Sequence, residues 1–222
     1  MNIVHCDIVN IVHICKAQFK TLTQKMVLSI KSRLISATET SLRAAGASGL
    51  KARPIAAAAE CAVGSIYKSF SNLEAAADLV IAEVFERLRA KLSAVPHTPD
   101  APHDHAIALS AAYLAFARSE GKLWLAIFEL PAQTDTPEGA IRQAALARVF
   151  AEAHDAIAAI VPAGDAEAVT QMIWSSLHGL SHLETTGTLA NGDPSVTNTL
   201  ARRVVEAILE KENAQKETDG NR

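Results

Sequence analysis

The stretch from Lys51 to Glu74 constrains the fold of this chain more than any other. Its sequence, KARPIAAAAECAVGSIYKSFSNLE, holds two short runs in which apolar residues recur at helical spacing. The runs predict one helix over about 52–59 and a second over about 63–70, joined by a tight turn. Pro54 fits this pattern, because proline is tolerated in the first turn of a helix.

Two helices of this kind form a helix-turn-helix unit with a buried face and an exposed face. The residues that we expect to face inward are Ile55, Ala56, Ala59, Cys61, Ile66 and Phe70. The residues that we expect to face outward are Val63, Ser65, Lys68 and Ser69, with Tyr67 at the margin. Such an outward face is small and polar enough for the second helix to enter the major groove of DNA.

The remainder of the chain also predicts helices. Only 5% of the 222 residues are aromatic, so the core must consist mainly of Ala, Leu, Ile and Val, which favours closely packed helices over sheets. An apolar helical face over 27–45 ends at Gly46 and Gly49. Later helices are expected over about 73–95, 106–119, 123–130, 137–160, 166–186 and 195–211. We therefore predict an all-α protein of about nine helices.

These helices divide into an N-terminal three-helix domain, a linking helix and a C-terminal helical bundle. The helix-turn-helix domain is placed at 26–74, and the linking helix is expected to reach about residue 95. A Pro- and His-rich segment over 96–105 is expected to break the helices there. The C-terminal ligand-binding and dimerisation domain is placed at 96–211.

The two ends of the chain are predicted to lie outside these domains. Residues 1–25 are interpreted as an extension, since their apolar run is interrupted by Asp7 and two His residues. The run lacks the features of a signal peptide and is too short to span a bilayer. Met26 is an equally good start of the protein. The polar tail over 212–222 is expected to fray.

Charge is unevenly divided between the two domains. From Met26 to Glu74, six Lys or Arg residues oppose three Glu, whereas from Ala75 to Arg222 twelve Lys or Arg oppose twenty Asp or Glu. A small basic domain joined to a larger acidic one favours a polyanionic partner for the first only. The three cysteines show no metal or disulfide spacing, which favours a reducing, cytoplasmic location.

The segment IAAAAECAVGSIYKSF resembles the helix-turn-helix of TetR-family transcriptional regulators. The matching positions are Ile55, Ala56, Ala59, Gly64, Tyr67, Phe70 and Glu74.

A second resemblance is to the TetR-type C-terminal domain that is named for its Trp-His-Gly residues. It rests on the segment IWSSLHGLSHLETTG and on YLAFARSEGKLWLAIFEL. Its matching positions are Trp174, His178 and Gly179, with Tyr113, Phe116, Trp124 and Phe128 earlier in the chain.

Three positions depart from the family pattern. Glu60 stands where glycine is usual in the turn, and a non-glycine residue at positive φ costs about 1 kcal/mol. Ala62 replaces a capping Ser or Thr, a loss of about 1 kcal/mol. Leu73 replaces a Lys that would contact a phosphate.

The resemblance implies a one-component regulator, most simply a repressor that binds a palindromic DNA operator as a homodimer. We assign phosphate contacts to Lys51, Arg53 and Lys68. Hydroxyl contacts are assigned to Tyr67 and Ser69, a thymine-methyl contact to Val63 and a base-edge contact to Ser65. The last two long helices are expected to pair across the dimer as a four-helix bundle.

The C-terminal domain is expected to bind a small, apolar effector. Candidate pocket residues are Phe116, Trp124, Phe128, Trp174 and His178, with plain core packing as the alternative for each. The four-residue spacing of His178 and His182 suits a metal, but no further ligands accompany them. We therefore predict no metal, no cofactor and no catalytic residue.

One alternative keeps the fold and changes the function. A helical small-molecule-binding protein with little or no DNA binding would explain the departures at Glu60, Ala62 and Leu73. An enzyme is a third possibility, which would require a titratable cluster inside a pocket.

Overall fold

The computed structural model describes residues 30–162 and 164–219, with side chains of the last helix as far as Lys211. All regular structure in these residues is helical. Helix α1 covers 30–45 and is followed by a 3₁₀ turn at Gly46–Gly49. The helices after it are α2 Ala52–Ala58, α3 Gly64–Ser69, α4 Leu73–Ser93, α5 Pro102–Glu120, α6 Lys122–Glu129, α7 Pro137–Ala158, α8 Ala166–Thr185 and α9 Pro194–Asp219. A second 3₁₀ turn, Ala190–Gly192, precedes α9.

Helices α1, α2 and α3 pack around a small core of their own and form the N-terminal head. The core consists of Leu34, Ala37, Ile55, Ala56, Ala59, Ile66 and Phe70, closed by Ala75 and Ala76 at the start of α4. The predicted inward face of the helix-turn-helix is therefore confirmed, except that Cys61 is only half-buried. The predicted extension 1–25 and the predicted start of α1 at Val27 lie outside the described residues.

Helix α1 ends where the sequence predicted. Gly46 has φ +63°, a conformation that glycine adopts without steric cost. The Ser41 hydroxyl donates to the Gly49 carbonyl at 2.6 Å, which holds the 3₁₀ turn against the end of α1.

Helix α4 links the head to the C-terminal bundle. Asn72 caps it, because its Oδ1 accepts a hydrogen bond from the Ala75 amide at 2.7 Å. The predicted stripe is buried along its whole length at Ala77, Val80, Val84, Leu88 and Leu92. Because Ala75 and Ala76 belong to the head core and the later stripe belongs to the bundle core, α4 is shared by both domains.

Two boundaries in the bundle differ from the prediction. Helix α5 begins at Pro102, four residues before the predicted start, because proline is well suited to the first helical position. Helix α9 continues to Asp219, eight residues beyond the predicted end at Lys211. Residues 212–219 contain good helix formers such as Glu, Ala, Gln and Lys, and no Gly or Pro interrupts them.

The buried faces of the last two long helices also differ from the predicted stripes. The inner face of α9 is formed by Thr197, Ala201, Val205 and Leu209. The predicted positions Val196, Leu200, Val204 and Ile208 lie one residue earlier and are half-buried. On α8, Val169, Ile173 and Leu177 are buried as predicted, but Met172 and Leu183 are 47% and 39% exposed.

None of the described helices combines the length and the apolar character that crossing a bilayer requires.

Candidate nucleic-acid interface and interior cavity

Helix α3 presents its predicted outward face to solvent. Val63 is 37% exposed and Tyr67 is 59% exposed, although both carry large apolar surfaces. Lys68 is exposed beside them, while Ser65 and Ser69 are half-buried along the same helix. Exposed side chains of this kind on a helix anchored by Ile66 and Phe70 leave its outer surface available to a partner.

The start of α2 adds positive charge beside that surface. Lys51 occupies the capping position of α2, and Arg53 lies in its first turn. Both side chains are exposed. The chain therefore exposes Lys51, Arg53 and Lys68 on its helix-turn-helix unit, and their predicted phosphate contacts stay a prediction.

The turn between α2 and α3 has the geometry that the sequence predicted. Glu60 adopts φ 51°, one of the positive-φ non-glycine residues of the described chain. Its amide donates to the Ala57 carbonyl at 3.0 Å, and the Cys61 amide donates to the Ala56 carbonyl at 3.0 Å. These two bonds form a Schellman motif, in which the residue after the helix cap is usually glycine. Helix α3 then begins without a side-chain cap, as expected from Ala62.

We expect Glu60→Gly to raise the free energy of unfolding by about 1 kcal/mol, because glycine removes the strain of a β-carbon at positive φ. The ion pair that is lost, Arg33 with Glu60 at 3.8 Å, is exposed and contributes little. Urea denaturation measures the change. As a control, Ala57→Gly places glycine at an exposed helical position three residues earlier and should destabilise by about 1 kcal/mol. A lower stability of Glu60→Gly would contradict the prediction.

The C-terminal bundle encloses a cavity of about 60 Å³ between α4, α5, α7 and α8. Its wall is almost entirely apolar and includes Leu109, Val149, Ile173, Trp174 and Leu177. A cavity with such a wall favours apolar matter over water.

The three hydroxyl groups that the described residues contribute to the cavity wall already have hydrogen-bond partners within the protein. Ser110 donates to the Ala106 carbonyl at 2.8 Å, and Thr170 donates to the Ala166 carbonyl at 2.7 Å. The Tyr113 hydroxyl shares a hydrogen bond of 2.9 Å with Nδ1 of His178. No Lys or Arg lines the cavity. A ligand in the cavity would therefore make apolar contacts with the wall rather than hydrogen bonds.

The predicted pocket residues lie mostly beside this cavity. Trp174 is on its wall, with its ring 5.1 Å from the ring of Phe150. Phe116, Trp124, Phe128 and His178 belong to an adjoining aromatic cluster in which Trp124 is fully buried. Phe128 contacts both Trp174 and His178 across the boundary. The prediction of a ligand contact therefore rests on Trp174, and the other four residues pack behind it.

His178 is uncharged near neutral pH. Burial, reinforced by the nearby His182, lowers the pKa of His178 to about 4. Burial also holds the pKa of Tyr113 well above its usual value, so its phenol keeps its proton near neutral pH. The Trp124 indole in turn donates to the Ser181 hydroxyl at 3.3 Å. These bonds provide partners for the Trp124 indole, the Tyr113 hydroxyl and Nδ1 of His178. In the described part of the chain, no group of three or more His, Cys, Asp or Glu residues could hold a metal ion.

Sequence reasoning missed a buried ion pair that joins the linking helix to the bundle. Arg142 on α7 pairs with Asp78 on α4 at 2.9 Å, and both side chains are almost completely buried. The same guanidinium donates to the carbonyls of Leu130 and Ile127 at the end of α6, both at 2.8 Å. The signal was present in the sequence, because Asp78 and Arg142 occupy core-facing positions of otherwise apolar stripes.

A second set of ion pairs fixes the head against the bundle. Arg43 on α1 contacts Glu39 and Glu120 at 2.8 Å and 2.7 Å, and Arg87 on α4 contacts the same two carboxylates at 3.0 Å and 3.1 Å. Lys122 at the start of α6 donates to the Ala44 carbonyl at 3.1 Å. Helices α4, α5 and α6 therefore all connect the head to the domain that contains the cavity.

Comparison with known proteins agrees with this architecture. Residues 106–208 match the family model described as "Tetracyclin repressor-like, C-terminal domain". The Trp-His-Gly subtype that we inferred from Trp174, His178 and Gly179 is not part of that description and stays a prediction. No curated protein matches the sequence.

Solved structures share the fold over most of the chain. A transcriptional regulator from Rhodococcus sp. Rha1 has a TM-score of 0.64 and 21% identity, covering 82% of this chain and 97% of that one. A putative TetR-family transcription regulator from Shewanella sp. PV-4 has a TM-score of 0.59 and 16% identity, covering 79% and 95%. The fatty acid degradation regulator FadR from Bacillus halodurans has a TM-score of 0.57 and 17% identity, covering 81% and 94%.

Residues 106–208 thus belong to the tetracycline repressor-like C-terminal domains, and the chain as a whole shares the fold of solved transcriptional regulators that include a putative TetR-family member.

Proposed function

We propose that this TetR-like regulator acts as a homodimeric repressor that binds a palindromic operator and releases it when an apolar effector enters the C-terminal bundle. The observation that carries the proposal is the outer surface of α3. It exposes Val63, Tyr67 and Lys68 on a helix whose opposite face is fixed in the core of the head.

The residues of this surface suit DNA. Lys51, Arg53 and Lys68 supply charge for the phosphates. The assigned hydroxyl contacts come from Tyr67 and Ser69, the contact with a thymine methyl from Val63 and the base-edge contact from Ser65. Because α3 has only six residues, a single head buries too little surface for useful affinity.

A second copy of the chain supplies the missing affinity. Met172 and Leu183 are eleven residues apart on α8, so they lie on one side of the helix, and both are exposed. On α9, the half-buried stripe of Val196, Leu200 and Val204 remains next to the inner face. We assign these two surfaces to the dimer, where α8 and α9 of both copies form a four-helix bundle. The two heads then bind successive major grooves about 34 Å apart.

The cavity has a direct structural connection to the linking helix. Trp174 lies on the cavity wall and contacts Phe128 on α6, with ring centroids 6.4 Å apart. The end of α6 is held by Arg142, which is paired with Asp78 on α4. An effector that moves Trp174 therefore biases the position of α4 and with it the spacing of the heads. It weakens DNA binding only by its differential affinity for the two spacings.

Fluorescence anisotropy with DNA from upstream of the gene tests the proposal. Binding that weakens steeply and linearly with the logarithm of salt concentration supports a regulator. No binding at low salt would favour the alternative, a helical small-molecule-binding protein that does not bind DNA.

We expect Lys68→Ala to weaken binding about threefold to tenfold for every DNA sequence tested, because a phosphate contact carries no sequence information. The slope of log K against log salt should fall by about one. Anisotropy at two salt concentrations measures both effects. Lys91→Ala, which removes an exposed charge from α4 outside the head, is the control and should change neither. An unchanged affinity of Lys68→Ala at both concentrations would remove Lys68 from the interface.

A further inference from the structure

An open groove between α7 and α8 adjoins the apolar cavity. The groove has a volume of about 400 Å³, and Phe150 and Thr170 line both the groove and the cavity. The two spaces therefore meet at these side chains. The groove involves a different side of α8 from the exposed Met172 and Leu183, because Glu167 and Gln171 differ from them by about a quarter turn or more around the helix.

The volume of the cavity is too small for a typical effector, so the effector must occupy both the cavity and the groove. Small-molecule sites commonly have volumes of about 300–1,000 Å³, and the cavity has about 60 Å³. The cavity alone accepts a hydrocarbon segment, while the groove has room for a larger and more polar group. One molecule that passes between Phe150 and Thr170 would occupy both.

The charges of the groove decide which polar group fits. Among the described residues that line it, the charged side chains are the carboxylates of Asp155 and Glu167, with no Lys or Arg. The ring of His154 lies with its Nδ1 3.7 Å from Asp155, and Gln171 donates to Glu167 at 3.5 Å. The nearest cation on this part of α7, Arg148, is already paired with Glu86. A carboxylate head would be repelled here, and a cationic head would be attracted.

We propose that the effector is an amphiphile whose apolar chain enters the cavity and whose cationic head lies in the groove beside Asp155 and Glu167. This inference rests on the proposed effector site of the repressor. The expected charge of the effector's head therefore differs from that in any regulator of similar fold whose effector carries a carboxylate.

Three probes of equal chain length test the inference: dodecyltrimethylammonium, dodecanol and dodecanoate, each below its micelle concentration. Binding is followed by the fluorescence of Trp174 and Trp124 at low salt, where exposed charges act most strongly. We expect the ammonium compound to bind about tenfold more tightly than dodecanoate, with dodecanol between them. The preference should shrink as salt is added.

Substitutions in the groove and in the cavity test which residues cause the preference for the cationic probe. Asp155→Asn combined with Glu167→Gln should abolish the preference for the cation and leave dodecanol affinity within about twofold. Asp100→Asn combined with Asp135→Asn makes a matched charge change at exposed positions outside the groove and should keep the preference. Ala153→Phe fills the cavity and should weaken all three probes.

The outcomes separate this inference from the proposed repressor function. Dodecanoate binding as tightly as the ammonium compound, or a preference that survives the groove variant, would overturn the assignment of a cationic head. Probe binding is measured on the protein alone, so a failure to bind DNA would overturn the repressor function and leave the ligand class supported. If dodecyltrimethylammonium binds tightly but leaves DNA affinity unchanged, this site does not bind the effector of the repressor.

Discussion

Arg142→Ala is expected to lower the free energy of unfolding by about 3–5 kcal/mol, which is the usual cost of breaking a buried ion pair by removing one partner. The substitution leaves the carboxylate of Asp78 buried, with the Gln133 amide at 3.1 Å as its remaining donor. It also leaves the carbonyls of Ile127 and Leu130 without their guanidinium donor. Urea denaturation followed by circular dichroism measures the loss.

Arg148→Ala provides a matched control for this experiment. Arg148 is on the same helix and pairs with Glu86, which is on the same partner helix as Asp78, but both side chains are well exposed. Its removal should cost less than about 1 kcal/mol. The double variant Asp78→Ala with Arg142→Ala should lose less than the sum of the two single variants, because neither charge is then left alone. If Arg142→Ala and Arg148→Ala lower the free energy of unfolding by equal amounts, the prediction that the buried pair costs more to break is wrong.

Met172→Glu and Leu183→Glu are each expected to convert the proposed dimer to a monomer and to reduce affinity for the proposed operator by about 100-fold or more. A charge placed at the centre of an apolar interface is desolvated without a partner. Losing the second head also removes the gain from binding two half-sites at once, which is commonly about 10²–10⁴. Analytical ultracentrifugation measures the oligomeric state, and anisotropy measures the affinity.

The neighbouring residue Gln171 supplies the control. Gln171→Glu introduces the same charge on the same helix, about 100° around its axis from Met172. It should leave both the dimer and the operator affinity intact. If the protein stays dimeric with glutamate at Met172 or at Leu183, the α8 face is not the interface.

The helix-turn-helix was predictable because its signals are local. The positions of Ile55, Ile66 and Phe70 define an inner face, and residues 60–62 define a tight turn, whichever domain lies next to them. Glu60 at positive φ is the clearest case, since a Schellman turn depends only on the backbone of α2 and the residues after it. The exposure of Val63, Tyr67 and Lys68 follows from the same local geometry.

The ligand site was less predictable, because aromatic residues do not by themselves indicate empty space. Trp124 fills its surroundings and touches four other rings, whereas the cavity forms where side chains from four helices, aromatic and aliphatic alike, leave space between them. The pairing of Asp78 with Arg142 is similar. Each charge was visible in an apolar stripe, but only the crossing of α4 and α7 shows that they meet.

The sequence by itself determined that this chain is helical, where most of its helices begin and end, and which face of α3 is exposed. Periodicity, Gly and Pro positions and short-range turn chemistry contain that information. The tertiary structure decided which of two adjacent apolar stripes on α9 enters the core: Ala201, Val205 and Leu209, rather than Leu200, Val204 and Ile208. The physical reason is that a step of one residue rotates a side chain by about 100°. Both stripes are apolar, so only the helices packed against α9 decide which stripe becomes the inner face and which stays half-buried.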